Sequence, residues 1–262
     1  MDKRGFCVRK SEDLLCECGN LAGLDIENCV EDYLYCSVSR AKLGKASAAL
    51  VGRSVGNYTS VFFANASELC SDAENEIIET LSAELRLILE NVVGGTNDFR
   101  ILVAGLGNRR VTHDSLGARV CDMLLPSDRM LLASVGVEGE SGIPTPRLVH
   151  ALAKASRVDL VVAVDSLAAR SFERVGRVIQ IADSGILQGS GVGVHKVGLN
   201  LESVGVPVLA VGFPLALIPE GNECDEGYLS VPCDLPLLID SGGRIISSAL
   251  RKIFCGNKPK TE

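Results

Sequence analysis

Short, almost wholly apolar runs constrain this chain more than any other feature. The runs Ile101–Ala104, Asp159–Val164, Val178–Ala182 and Val206–Gly212 are of strand length and lack a polar alternate face. A strand that is apolar on both sides must be covered on both sides. Between the runs lie stretches of helical period, Ser115–Leu125, Thr145–Ser156 and Leu167–Val175, and Arg244–Phe254 closes the series with Ile245, Ile246, Leu250 and Ile253 inward. The pattern predicts an α/β fold of three layers, a mostly parallel sheet with helices on both faces.

Upstream, Ser71–Val93 is the clearest helix, with Ile77, Leu81, Leu85, Ile88 and Leu89 on one face. Ser71 is placed to cap it, Asp72 and Glu74 suit the positive end of its dipole, and Gly94-Gly95 ends it. Tyr58–Ala64 reads as a strand. Residues 1–50 carry no strong period and read as an N-terminal extension ahead of a single α/β domain over 51–262.

Net charge is −7, which leaves no surplus of Lys and Arg for a phosphate backbone and argues against nucleic acid as a direct partner. Met1–Asp13 is charged and lacks the apolar core of a signal peptide, and no apolar run reaches the roughly 18 residues of a membrane helix. A cytoplasmic protein with no membrane partner is expected. Five of the ten cysteines fall in the first 36 residues. The gaps between Cys16, Cys18, Cys29 and Cys36 do not match a regular zinc ribbon, so free thiols are expected.

Ligands of an open parallel sheet bind beyond the carboxyl ends of its strands. Three acids are aimed there: Asp114 after the first core strand and its Gly-rich turn, Asp165 after Asp159–Val164, and Asp183 after Val178–Ala182. They would share one rim if those strands are neighbours. The bland alternatives are concrete: Asp114 and Asp165 as helix caps, Asp183 as the start of a Ser184-Gly185 turn. Two carboxylates held close cannot both ionise easily, so one can act as an acid while the other activates water. Gly105-Leu106-Gly107-Asn108-Arg109-Arg110 fails the dinucleotide pattern at Arg110. Gly189-Ser190-Gly191-Val192-Gly193 is followed by Val194-His195-Lys196, so it is no Walker loop, though such glycines can turn N–H groups onto an anion or a carbonyl. His113, His150 and His195 form no metal-binding pair, and no nucleophile elbow surrounds Ser190.

Several of these segments together resemble the spore germination protease family. Gly105-Leu106-Gly107-Asn108 and Thr112-His113-Asp114-Ser115-Leu116-Gly117 look like its GLGN…TPDALG. Val164-Asp165-Ser166-Leu167-Ala168-Ala169-Arg170-Ser171 resembles IDALAARS, and Ile181–Ile186 with Gly189–Gly193 resembles ISDTGI-x-PGSGVG. The likeness runs over roughly residues 55–215. It implies a fold like that of the hydrogenase-maturation peptidases and an endopeptidase that degrades small acid-soluble spore proteins. It also implies a zymogen with an N-terminal propeptide, which would fall on residues 1–50, a homo-oligomer, and the spore or forespore interior; no cofactor is expected. The family's catalytic acids fall on Asp114 and Asp165. Asn108, Arg170, Asp183, Gly189, Gly191 and Gly193 become candidate substrate-binding residues. The chain departs from the family pattern at His113, Ser115, Ser166, Gln188 and Val194. Two other readings share the likeness: a non-cleaving paralogue that binds spore proteins, and a maturation-type peptidase that uses the two acids to recognise a metal in its target.

Overall fold

The computed structural model describes residues 26–94, 99–187, 198–218 and 229–254. They form one eight-stranded sheet in the order β1-β2-β3-β7-β8-β6-β4-β5. The strands are β1 (Ile26–Asp32), β2 (Cys36–Leu43), β3 (Gly56–Phe63), β4 (Ile101–Leu106), β5 (Met130–Gly136), β6 (Leu160–Ala169), β7 (Val178–Ala182) and β8 (Val208–Leu217). Strands β5, β4, β6 and β8 run parallel, as the apolar runs require. The sheet as a whole is mixed, because β7 is antiparallel to β8 and β3, β2 and β1 continue it antiparallel.

Helices cover both faces. On one lie α2 (Ser71–Val93), α3 (Leu116–Met123) and α7 (Leu235–Phe254), whose Ile77, Leu81, Leu85, Val120, Ile245 and Ile246 share a core with Val103, Val162, Val164 and Val211. On the other lie α1 (Lys45–Val51), α5 (Thr145–Ser156) and α6 (Leu201–Val204), with Ala48, Val149, Ala153 and Val204 against Leu102, Ala104, Val161, Ala163 and Ala210. Successive residues of one strand thus enter different cores, which is why the runs contain so few polar residues. A short turn, α4 (Glu138–Ser141), precedes α5.

Four sequence expectations change. The stretch 26–50, read as part of an extension, contains β1, β2 and nearly all of α1, and β2 buries Val38 and Leu43, so the sheet begins ahead of the expected boundary at residue 50. Leu167–Val175 is not a helix: β6 stays paired with β8 through Ala169, and only Phe172–Arg174 makes a 3₁₀ turn. Val178–Ala182 is antiparallel, since eight residues after β6 are too few for a helical crossover back to a parallel start. The cap of α2 is Cys70, without a side-chain bond, rather than Ser71.

Candidate active site

The carboxyl end of β4 enters a tight turn. Gly107 has φ +86, and a side chain on it would strike the carbonyl of Asp114 and lie 2.7 Å from its Oδ1. Only glycine tolerates both demands. Asn108 organises the turn: its N–H donates to Asp114 Oδ2 at 2.7 Å, and its own Oδ1 accepts from Arg110 N at 2.8 Å. Its neighbour Arg109 forms a bidentate pair with Asp122 of α3 at 2.6 and 3.0 Å. That pair holds the Asp122 carboxyl below the usual carboxylate range. A 3₁₀ turn over Thr112–Asp114 then leads into α3.

Asp165 sits on the neighbouring strand. The pairing of β4 with β6 ends at Gly105 and Val164, which makes Leu106 and Asp165 the next residues along the two strands. Asp165 is buried and accepts from Ser166 N at 2.9 Å through Oδ1. The first turn of α3 closes the arrangement. A side chain on Gly117 would come within 2.5 Å of Val164 O, and closer still to the N and O of Leu106. Leu116 N donates to Ser166 Oγ at 3.4 Å. The hydrogen bonds and the glycine contact thus join the segments bearing Asp114 and Asp165.

Neither acid caps a helix. The residue ahead of α3 is Ser115, which makes no side-chain cap bond, and Asp165 lies inside β6. Asp183 does not join them. Gln180 is level with Gly212 and, through it, with Asp165, so Asp183 lies three residues toward the opposite end and two strands across. That is roughly 14 Å between Cα atoms. Its carboxylate accepts instead from Asn57 N at 2.7 Å and Asn57 Nδ2 at 2.6 Å, tying the end of β7 to the start of β3. Arg170 is half-buried directly after β6. Gly189, Gly191 and Gly193 lie outside the described residues, as do Gln188, Val194 and His195.

A family model described as germination protease matches residues 7–219. The chain belongs to the germination protease family. Two curated family members show the extent of the likeness. The germination protease of Priestia megaterium is 34% identical over 192 residues, and that of Bacillus cereus 32% over 193; each alignment covers 68% of this chain and 52% of the relative. The chain therefore spans about half the length of the curated relatives it matches. Among solved structures, it is similar to the [NiFe] hydrogenase maturation protease HycI of Thermococcus kodakarensis, with 24% identity and a TM-score of 0.42 over 63% of this chain and 99% of that one. The family match takes in Asn108, Asp114, Asp165, Arg170 and Asp183.

Sequence reasoning missed Ser166 as a link between the acids and Gly117 as the contact that lets α3 approach. The signal for Gly117 was present: a glycine in the first turn of an amphipathic helix is a poor helix former and points to close packing. Among the described residues no group of three or more His, Cys, Asp or Glu side chains converges as a metal site would. Of the four cysteines weighed for zinc, Cys16 and Cys18 lie outside the described residues, Cys29 is exposed, and Cys36 is buried with Sγ 3.5 Å from Thr80 Oγ1. No described helix is long and apolar enough to cross a membrane.

Proposed function

We propose that this chain is an endopeptidase that hydrolyses small acid-soluble spore proteins with Asp114 and Asp165. The observation that carries the reading is the hydrogen-bonded approach of the two acid-bearing segments at the end of β4 and within β6, in a chain of the germination protease family. One carboxylate takes a proton from water as its oxygen attacks the scissile carbonyl. The other, protonated, donates to the carbonyl oxygen as charge develops there, and the proton gained by the first reaches the leaving amine. No resident cofactor is invoked.

Substrate contacts in this proposal come from the Asn108 turn and from Arg170, with Gly189, Gly191 and Gly193, which lie outside the described residues, as further candidates. Asp183, occupied by Asn57, serves the sheet. The site of action is the cytoplasm of the spore or forespore, the assembly a homo-oligomer, and activation zymogen-like. A non-cleaving paralogue is the second reading, favoured by the departures at His113, Ser115 and Ser166 beside the two acids. The test is incubation of the purified chain with a small acid-soluble spore protein, followed by mass spectrometry of the products. Defined fragments support the peptidase; intact protein retained in a complex supports the paralogue.

A further inference from the structure

We infer that Ser166 is a positioning residue that couples the two carboxylate-bearing segments, an inference that rests on the reading of Asp114 and Asp165 as the reacting pair. The pleat of β6 sends neighbouring residues to opposite faces. Val162 and Val164 enter the core that holds Leu116 and Val120, whereas Val161 and Ala163 enter the other. Since β6 stays paired through Ser166 and beyond, Ser166 continues the first series and Asp165 the second. Ser166 consequently bonds in two directions. Its N–H donates to Asp165 Oδ1 at 2.9 Å, and its hydroxyl oxygen accepts from Leu116 N at 3.4 Å.

The second bond has a clear physical purpose. The first N–H groups of a helix have no partner within it. Ser115, at the capping position of α3, makes no side-chain cap bond. Ser166 supplies from β6 an acceptor that the local sequence does not. Leu116 is two residues from Asp114, and the Asp114 carboxylate is in turn held by Asn108 N. A continuous path therefore runs from Asn108 through Asp114 and the start of α3 to Ser166 and Asp165. The family pattern resembled by this segment carries Ala here, which keeps the backbone N–H to Asp165 but has no hydroxyl, so the bond from Leu116 N is what this chain adds, and it sets the spacing of the acids rather than the chemistry itself.

The test compares the full-length wild type with Ser166→Ala and Ser166→Thr. Amide exchange of Leu116 and the pH midpoints of the Asp114 and Asp165 side-chain carboxyls are followed by NMR, independently of any cleavage. Removing the acceptor should speed Leu116 exchange about 5-fold, the size of one ordinary hydrogen bond. It should also move both carboxyl midpoints, and Thr, which keeps the hydroxyl, should restore both readouts. Unchanged exchange and midpoints in Ser166→Ala, or a loss that Thr does not restore, overturns the coupling. On spore-protein substrate, kcat should fall about 5-fold in Ser166→Ala with KM unchanged. The described NMR changes in Ser166→Ala, restored in Ser166→Thr, together with a wild type that cleaves nothing, sink the peptidase reading and leave the coupling standing.

Discussion

Replacing Gly117 by Ala probes the contact on which the candidate site depends. The added Cβ would lie 2.5 Å from Val164 O and closer to Leu106 N and O, where ordinary contact begins at 3.4 Å. All three obstacles are backbone atoms of central strands, and the two nearest, at 2.4 Å, require α3 to retreat by about 1 Å from β4 and β6. Overpacking of this kind costs about 1–3 kcal/mol, or roughly 2–10 °C in Tm for a domain of this size. The retreat also carries Asp114 away from Asp165, and a misplacement of about 1 Å at a reacting centre can cost about 100-fold in rate. Gly139→Ala is the control, since nothing lies within 4 Å of its added carbon. Thermal unfolding and turnover per folded molecule should be measured on the same preparations. A lower Tm together with about 100-fold slower turnover in Gly117→Ala, and neither in Gly139→Ala, is the expected result. Wild-type Tm would refute the packing argument, and a lowered Tm with undiminished turnover would refute the link from α3 to the chemistry.

Two further outcomes follow from the geometry. Asp183→Ala should destabilise the fold by about 1–3 kcal/mol, because Asn57 loses the acceptor for two N–H groups, while turnover per folded molecule stays within about 3-fold of wild type; a drop of about 100-fold at unchanged stability would return Asp183 to the site. Burial pushes the Cys36 and Cys121 thiols above the ordinary thiol range, so they hold their protons at pH 8, whereas Cys29, Cys70 and Cys233 are exposed. Alkylation at pH 8 followed by peptide mapping should label the latter three first, and equal early labelling of Cys121 would contradict the packing of α3 on β4.

Much of the parallel half of the sheet was legible because its residues obey one rule: a strand covered on both faces is apolar throughout. The boundaries of α2 and α5 were legible for the same kind of reason, a 3.6-residue period between clear stops. In sequence, β6 ends at Val164 because Asp165-Ser166 looks like a strand end followed by a helix cap. Pairing with β8 overrides that local signal, and Asp165 becomes a buried strand residue. Strand β1 was invisible because an exposed edge strand, here Cys29–Asp32, needs no apolar alternation, and β2 because only Cys36, Val38 and Leu43 of its eight residues are buried. The acids themselves were legible, but their relation to Asp183 was not. Three strand ends read alike in sequence, and only strand order and direction separate the pair from the third.

Asp114 and Asp165 act together in the proposed reaction, and Asp114→Asn and Asp165→Asn tested against wild type address this most directly. Each substitution keeps the shape of the side chain and removes its ability to exchange a proton. Cleavage of a small acid-soluble spore protein should be followed by mass spectrometry, with circular dichroism on the same samples to establish that the fold is retained. Both variants are expected to remain folded and to lose about 1,000-fold or more in turnover, the range in which removing one member of a catalytic unit falls. A folded variant of either that cleaves at near-native rate would contradict the account.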